Sequence, residues 1–148
     1  MGRGDPRFGS EGRLSYLKEL AGFACRARLA DLPGNVLGRT RWVIADSLPV
    51  IAAGMQRAEM RALLTRHLPG AARGTAWVLG TRQRAGAFDA ALLNGTAGTW
   101  LELNEGNLFA KGHPGIQVVP AALALAQETG ASGGELLMAV AVGYEVSS

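Results

Sequence analysis

A chain of 148 residues suffices for one domain with a core, and its 48% hydrophobic content excludes a disordered protein. Aromatic residues make up only 6%, while alanine, leucine and glycine dominate, which favours closely packed helices over a β-sandwich. The net charge of +3 is uneven: residues 1–84 hold 14 basic and 6 acidic residues, against 1 and 6 in residues 85–148. The basic half could attract nucleic acid, but its arginines stand singly, without interleaved aromatic residues. They therefore favour a solvated helix face, or a surface that meets another subunit.

The first residues and the single cysteine exclude further protein classes. Residues 1–13 are rich in glycine and arginine and lack the apolar stretch of a signal peptide, so we expect a flexible arm. Cys25 is the single cysteine of the chain, which excludes an internal disulfide. Its position in an apolar helical pattern predicts a small core side chain. No run of about 18 uncharged apolar residues exists, so no membrane span is expected. These features predict a cytoplasmic protein.

Three helices are predicted after the arm. The first begins at Leu14, carries an apolar stripe at helical spacing, and ends at the breaker formed by residues 31–34. The second covers residues 35–54 and is apolar over most of its circumference, so we expect it to be central, with a kink at Pro49. The third covers residues 57–68 and ends before a proline-glycine pair.

The middle of the chain is less regular. Residues 76–80 could form a short extended segment, which cannot make a sheet alone. A fourth helix is predicted over residues 85–93, and Asn94-Gly95 then indicates a turn or a helix break. Residues 96–115 are the most polar part of the chain.

Two helices complete the prediction. The fifth, residues 118–128, is rich in alanine. Ser132 and Glu135 form a capping box, in which each side chain bonds the other residue's backbone N–H, and this opens a sixth helix to about Tyr144. The whole pattern predicts an all-α domain of about six helices over residues 14–148.

Three stretches carry a recurring family pattern. The first spans residues 31–54; the second joins Ala-Ala-Leu-Leu-Asn-Gly-Thr at 90–96 to Gly-His-Pro-Gly at 112–115; the third spans residues 119–146. In order and spacing they resemble the MmgE/PrpD family of 2-methylcitrate dehydratase and cis-aconitate decarboxylase. The resemblance implies a partial MmgE/PrpD-type helical domain, without the α+β lid domain and the closing helices of full-length members.

Polar side chains gather in the irregular region between the predicted buried helices: Glu102, Asn104, Glu105, Asn107, Lys111 and His113. Loops on rigid scaffolds commonly carry functional sites. A residue before proline avoids the helical region, which helps to fix the direction of the His113 imidazole. The alternatives are that Glu102 and Glu105 belong to a solvated helix face and that His113 is a structural or capping residue. A metal site on these three side chains is disfavoured, because the Glu-x-x-His repeat of helical carboxylate sites is missing. His67, at a helix end, is interpreted as structural.

The resemblance assigns roles to these side chains. Glu102-Leu103-Asn104-Glu105 stands where the family has an acidic motif of roughly Asp-aromatic-Asp-Asp, and His113-Pro114 stands where it has a His-Pro pair. The implied role of His113, Glu102 and Glu105 is catalysis. Because Asn104, Asn107 and Lys111 lie in the same polar stretch, we predict that they bind the substrate. Asn104 replaces a carboxylate, and Thr99-Trp100 replaces a histidine found in many members. These departures count against 2-methylcitrate itself as the substrate.

The implied chemistry needs no cofactor. In the family, a base removes a proton beside a carboxylate of a small di- or tricarboxylic acid, and an acid assists the departing hydroxyl; other members decarboxylate or isomerise. Members supply further groups from later in the chain. We therefore expect the N-terminal half of a split lyase, active in an oligomer with a complementary polypeptide. The alternatives are a non-catalytic helical accessory subunit that stabilises a full-length paralogue, or a free-standing helical binding module.

Overall fold

The computed structural model describes residues 10–148, and the side chains of residues 15–148. It contains six α-helices: α1 Ser10–Arg26, α2 Gly34–Gly54, α3 Ala58–His67, α4 Ala87–Trp100, α5 Pro114–Thr129 and α6 Gly133–Val146. The predicted all-α fold class is confirmed. The predicted arm lies mostly outside the described residues, and α1 begins at Ser10 rather than at Leu14. None of the described helices has the length and apolar character needed to cross a membrane.

A two-stranded hairpin interrupts the helices between α3 and α4. β1, Ala76–Trp77, pairs antiparallel with β2, Arg84–Ala85. The Trp77 N–H donates to Gln127 Oε1 on α5 at 2.8 Å, and the Arg84 guanidinium lies 4.1 Å from the centre of the Trp77 ring. The extended segment expected over residues 76–80 thus exists, and it is stabilised by a partner strand and by α5.

The predicted turn at Asn94-Gly95 is wrong, because α4 runs through both residues to Trp100. The Asn94 side chain is buried: its Oδ1 accepts the Leu79 N–H, and its Nδ2 donates to the Trp77 carbonyl, both at 2.9 Å. Asparagine and glycine are weak helix formers. Here the helix gains two tertiary hydrogen bonds to the hairpin segment, which outweigh that local preference.

The core lies where α2, α4 and α5 cross. Fully buried apolar side chains from these helices, from the residue after α2 and from the hairpin segment form one cluster there: Ile51, Met55, Val78, Leu93, Ala97 and Ala124. A Cβ on Gly54 of α2 would collide with the Ala97 carbonyl of α4, and one on Gly98 would collide with Ile116 of α5. Glycine therefore lets these helix backbones approach closely, and α2 is central as predicted.

The first helix departs from its prediction. α1 packs sparsely, against α6, and Tyr16 and Leu17 are 61% and 55% exposed. Cys25 is exposed, so its assignment to the core is wrong. The apolar stripe exists in the sequence, but no other described element covers it.

Candidate active site

The loop between α4 and α5, residues 101–113, carries all six predicted site residues. Two of them have a left-handed backbone conformation that is rare outside glycine: Glu102 at φ 52° and Lys111 at φ 50°. Asn107 and Gly112 exchange backbone hydrogen bonds of 2.8 and 3.3 Å, which closes residues 107–112 into a tight turn. Both unusual conformations stand where the loop changes direction, so the tertiary structure holds this loop in a defined shape.

Asn107 builds the turn. Its Oδ1 accepts the backbone N–H groups of Phe109 at 2.9 Å and Ala110 at 3.1 Å, while its Nδ2 donates to Ser148 Oγ at 3.1 Å. Such local bonds are why asparagine favours turns. The side chain is therefore engaged in shaping the loop, and substrate binding by Asn107 stays a prediction.

Glu105 ties the loop to two helices. Its Oε1 accepts the Gly115 N–H in the first turn of α5 at 2.6 Å, and its Oε2 accepts the Tyr144 hydroxyl of α6 at 3.0 Å. A Cβ on Gly115 would lie 2.6 Å from that Oε1 and 2.8 Å from Val43 Cγ1, so only glycine fits here. Charge-assisted bonds of this kind are among the stronger ones in proteins.

His113 is held at one ring nitrogen and exposed. Its Nδ1 lies 2.7 Å from the Glu105 carbonyl oxygen. Because a carbonyl only accepts, Nδ1 must carry the proton, which leaves Nε2 of the neutral ring as an acceptor. His113 precedes α5 but its side chain makes no capping bond, and Pro114 starts that helix, where its fixed φ suits the first turn. The imidazole therefore presents a basic nitrogen in a fixed direction.

The remaining predicted residues are less constrained. Glu102 and Lys111 are exposed. Asn104 is partly buried, and its Oδ1 is a buried acceptor without a hydrogen-bond donor in the described part of the chain. The structure thus joins Glu105 and His113 by a hydrogen bond, with Asn107 shaping the same loop. Glu102, Asn104 and Lys111 share the loop without a hydrogen bond to His113 among the described residues.

The sequence did not predict that α2 and α6 contribute residues to the candidate site. Tyr144 donates to Glu105, and burial, then this bond, raise the pKa of its hydroxyl, which keeps it protonated at neutral pH. A groove of about 280 Å³ beside it is lined by residues of α2 and α6, including Arg39, Thr40 and Val140. The Gly-Tyr-Glu pattern at residues 143–145 was visible as a family feature, but no local signal linked it to the loop. The sequence around Arg39 likewise contains no local pattern that indicates a site residue.

A metal centre finds no support in the geometry. Among the side chains that the structure describes, those of residues 15–148, no three of His, Cys, Asp or Glu come together in an arrangement that could hold an ion. The carboxylate of Glu105 is already engaged by two protein donors.

Comparison with protein families decides the relationship of the chain. Residues 18–148 match the model of the MmgE/PrpD N-terminal domain. The chain belongs to the MmgE/PrpD family. Both the suspected family and the restriction to its N-terminal part are confirmed. Neither a curated protein nor a solved structure matches the chain.

Family membership gives a context for the loop. In this MmgE/PrpD domain, a histidine with a fixed tautomer stands next to a partly buried acidic motif, at the edge of a helical scaffold. Such an arrangement can accept a proton from a substrate that approaches Nε2 of His113 from the exposed side of the loop.

Proposed function

We propose that this chain supplies the proton-accepting half of an MmgE/PrpD-type lyase site that acts on a small di- or tricarboxylic acid. The observation that carries the proposal is His113, whose Nδ1–H is fixed by the Glu105 carbonyl while Nε2 remains available on an exposed ring. Histidine is well suited to proton transfer near neutral pH.

In the proposed dehydration, Nε2 of His113 removes a proton from the carbon beside a substrate carboxylate. The electron pair of that C–H bond forms the new double bond, and the hydroxyl on the neighbouring carbon leaves as water after it gains a proton. The Glu102 carboxyl is the proposed proton donor, since it is exposed on the same loop. Decarboxylating or isomerising chemistry would use the same base. No cofactor takes part in this scheme.

A complementary polypeptide completes the proposed site within an oligomer. Leu108 and Phe109 at the loop tip are 92% and 95% exposed, and Trp42 on α2 is 73% exposed. Leu108 and Phe109 are adjacent in the chain, and exposed apolar patches are typical of surfaces that another polypeptide covers. Among the described residues none donates to the buried Oδ1 of Asn104, and a buried acceptor without a donor costs about 1–3 kcal/mol. A covering segment or the substrate would supply that donor.

Substrate carboxylates need cations to hold them. Lys111 and Arg39 are the candidates on this chain: Lys111 is an exposed loop residue, and Arg39 lines a recess of about 380 Å³ with Glu105 and Leu103. We propose that further cationic groups come from the complementary polypeptide. We also propose that the assembly acts in the cytoplasm, on a substrate other than 2-methylcitrate.

One observation favours a non-catalytic accessory subunit instead. Asn104 stands at a carboxylate position of the family motif, and the Glu105 carboxylate is occupied by structural bonds. Only Glu102 of the motif then offers a free carboxylate. In that case the chain would stabilise a full-length paralogue without contributing to turnover.

The test is co-expression with the product of the adjacent gene, followed by assays on a panel of polycarboxylic acids. His113→Ala should reduce turnover by about 10²–10⁴-fold, which is typical of removing a positioned base. Glu102→Gln keeps the shape, removes the acidic proton that the carboxyl would donate, and should also cause a large loss. Arg57→Ala, on the exposed end of α3, is the control and should change little. Near-normal activity of His113→Ala at unchanged complex yield would establish the accessory role.

A further inference from the structure

The loop histidine is connected to α6 through a single intermediate residue. We infer that Tyr144 is a positioning residue for His113 and acts through Glu105, which couples the ring orientation and tautomer of the base to the packing of α6. This inference rests on the proposed role of His113 as a base, and it adds a determinant on a helix that carries none of the predicted site residues.

Glu105 makes three bonds at once. Its carbonyl accepts from His113 Nδ1 at 2.7 Å, and its carboxylate accepts from Gly115 N–H at 2.6 Å and from the Tyr144 hydroxyl at 3.0 Å. Three rotatable torsions separate the Glu105 carboxylate from its backbone. Bonds from α5 and α6 to the two carboxylate oxygens restrict those torsions and so anchor the loop backbone whose carbonyl holds the imidazole.

The first two bonds form a small closed circuit. Gly115 follows His113 by two residues, so the circuit runs from His113 to Glu105, from Glu105 to Gly115, and back along the chain. Gly115 is buried and a Cβ there would lie 2.8 Å from Val43 Cγ1, which anchors the circuit against α2. This circuit fixes Oε1 of Glu105, but the carboxylate group can still rotate about that oxygen.

Tyr144 removes that rotation. It binds the second carboxylate oxygen from α6, which packs against α5 through contacts such as Gly143 with Val118. The hydroxyl is a neutral donor, because burial and the bond to Glu105 raise its pKa. A neutral donor directs the carboxylate without adding a charge that would compete for the imidazole.

The consequence concerns the tautomer of His113. A neutral imidazole exchanges its proton between two nitrogens, and the neighbouring acceptor selects one form. With the Glu105 carbonyl in place, the Nδ1–H form dominates and Nε2 faces outward as the base. Without the Tyr144 bond, the carbonyl is less well placed and the two forms mix.

The experiment is nitrogen NMR of the histidine rings in the full chain, recorded at about pH 8, where the Nδ1 and Nε2 signals of a neutral ring identify its tautomer. The chain has two histidines, and His67 is bonded through Nε2 to Asp89 at 2.7 Å, so it is an internal reference. We expect a protonated Nδ1 and an unprotonated Nε2 at His113. Tyr144→Phe should move both His113 signals toward an averaged value and leave His67 unchanged.

Two further variants sharpen the test. Tyr16→Phe makes the same chemical change on the exposed surface of α1 and should leave His113 unaffected. Glu105→Gln keeps the shape but cannot accept at both positions, so it should resemble Tyr144→Phe; it carries the test if Tyr144→Phe disturbs the His67 reference. An unchanged His113 spectrum in the Tyr144 and Glu105 variants, or averaged signals in the unmodified chain, would overturn the inference.

The kinetic readout separates this inference from the proposed function. In the assembled complex, Tyr144→Phe should lower kcat by up to about 10²-fold, as misplacement of a reacting group does, with little change in KM. An inactive complex with the expected NMR response would refute the lyase proposal and keep the positioning role. An active, His113-dependent complex in which Tyr144→Phe changes neither kcat nor the spectrum would refute the positioning role alone.

Discussion

Replacement of Asn94 tests whether a polar side chain inside α4 stabilises the hairpin segment. Asn94 is 1% exposed, and its amide bonds the Leu79 N–H and the Trp77 carbonyl, each at 2.9 Å. Asn94→Ala leaves both backbone groups without their partner and removes buried volume. Each unmade buried bond costs about 1–3 kcal/mol. Since Leu79 is only partly buried and water can reach part of this site, we expect a total of about 2–4 kcal/mol.

The assay is urea unfolding followed by tryptophan fluorescence, since Trp77 lies at the site. With a slope of about 1–3 kcal/mol per molar urea, the midpoint should fall by about 1–2 M. Asn94→Asp keeps the acceptor for Leu79 but turns a carboxylate toward the Trp77 carbonyl. It should be destabilising at neutral pH and recover partly in acid, where a protonated carboxyl can donate.

The matched control is the neighbouring Gly95→Ala. A Cβ at Gly95 meets no atom within 4 Å, so alanine should stabilise α4 by about 0.5–1 kcal/mol. A change below about 0.5 kcal/mol in Asn94→Ala would refute the reasoning, because the two bonds would then be dispensable. Destabilisation by Gly95→Ala would contradict a continuous α4.

Two further predictions concern pH and exposed surface. Hydrogen bonds from His67 and from the Ala72 N–H lower the pKa of Asp89 in the folded chain. The carboxylate therefore stabilises the fold above its unfolded-state pKa, and this stabilisation is lost as pH falls through the folded-state pKa. In urea titrations at acid pH, Asp89→Asn should reduce the loss of stability, and an unchanged pH profile would contradict this. Because Trp42, Leu108 and Phe109 are exposed, we expect the chain alone to bind a hydrophobic dye or to self-associate. Phe109→Ser should reduce this dye binding or self-association. A chain that is monomeric in light scattering and binds no dye would refute the prediction.

Local chemistry explains what was predictable. The capping box at the start of α6 is confirmed, with Ser132 Oγ accepting the Glu135 N–H at 3.2 Å and Glu135 accepting the Ser132 N–H at 2.7 Å. Helix ends at Gly54 and near Pro69 also follow the sequence, because capping and breaking act over three or four residues. The site loop was recognised as polar and irregular for the same reason.

Long-range contacts decided the rest of the site. The link between Glu105 and Tyr144 spans 39 residues of sequence, so no periodicity or spacing could reveal it. Exposure of Cys25 and continuation of α4 through Asn94 likewise depend on which neighbours are present in space. An apolar stripe predicts a face to be covered, but it does not say what covers it.

The sequence by itself determined that this chain is helical, where α2, α3 and α6 begin and end to within about two residues, and that its polar loop carries His113. These features depend on backbone propensity, capping and hydrophobic period, which are local. Only the tertiary structure decided that α4 is continuous, that Glu105 is held by α5 and α6, and that His113 exposes Nε2. The continuity of α4 and the bond from Tyr144 depend on partners 15 to 39 residues away, and their free energy exists only once the helices have packed. The bonds of Glu105 to His113 and Gly115 span 8 and 10 residues, and they need the folded conformation of the loop between α4 and α5.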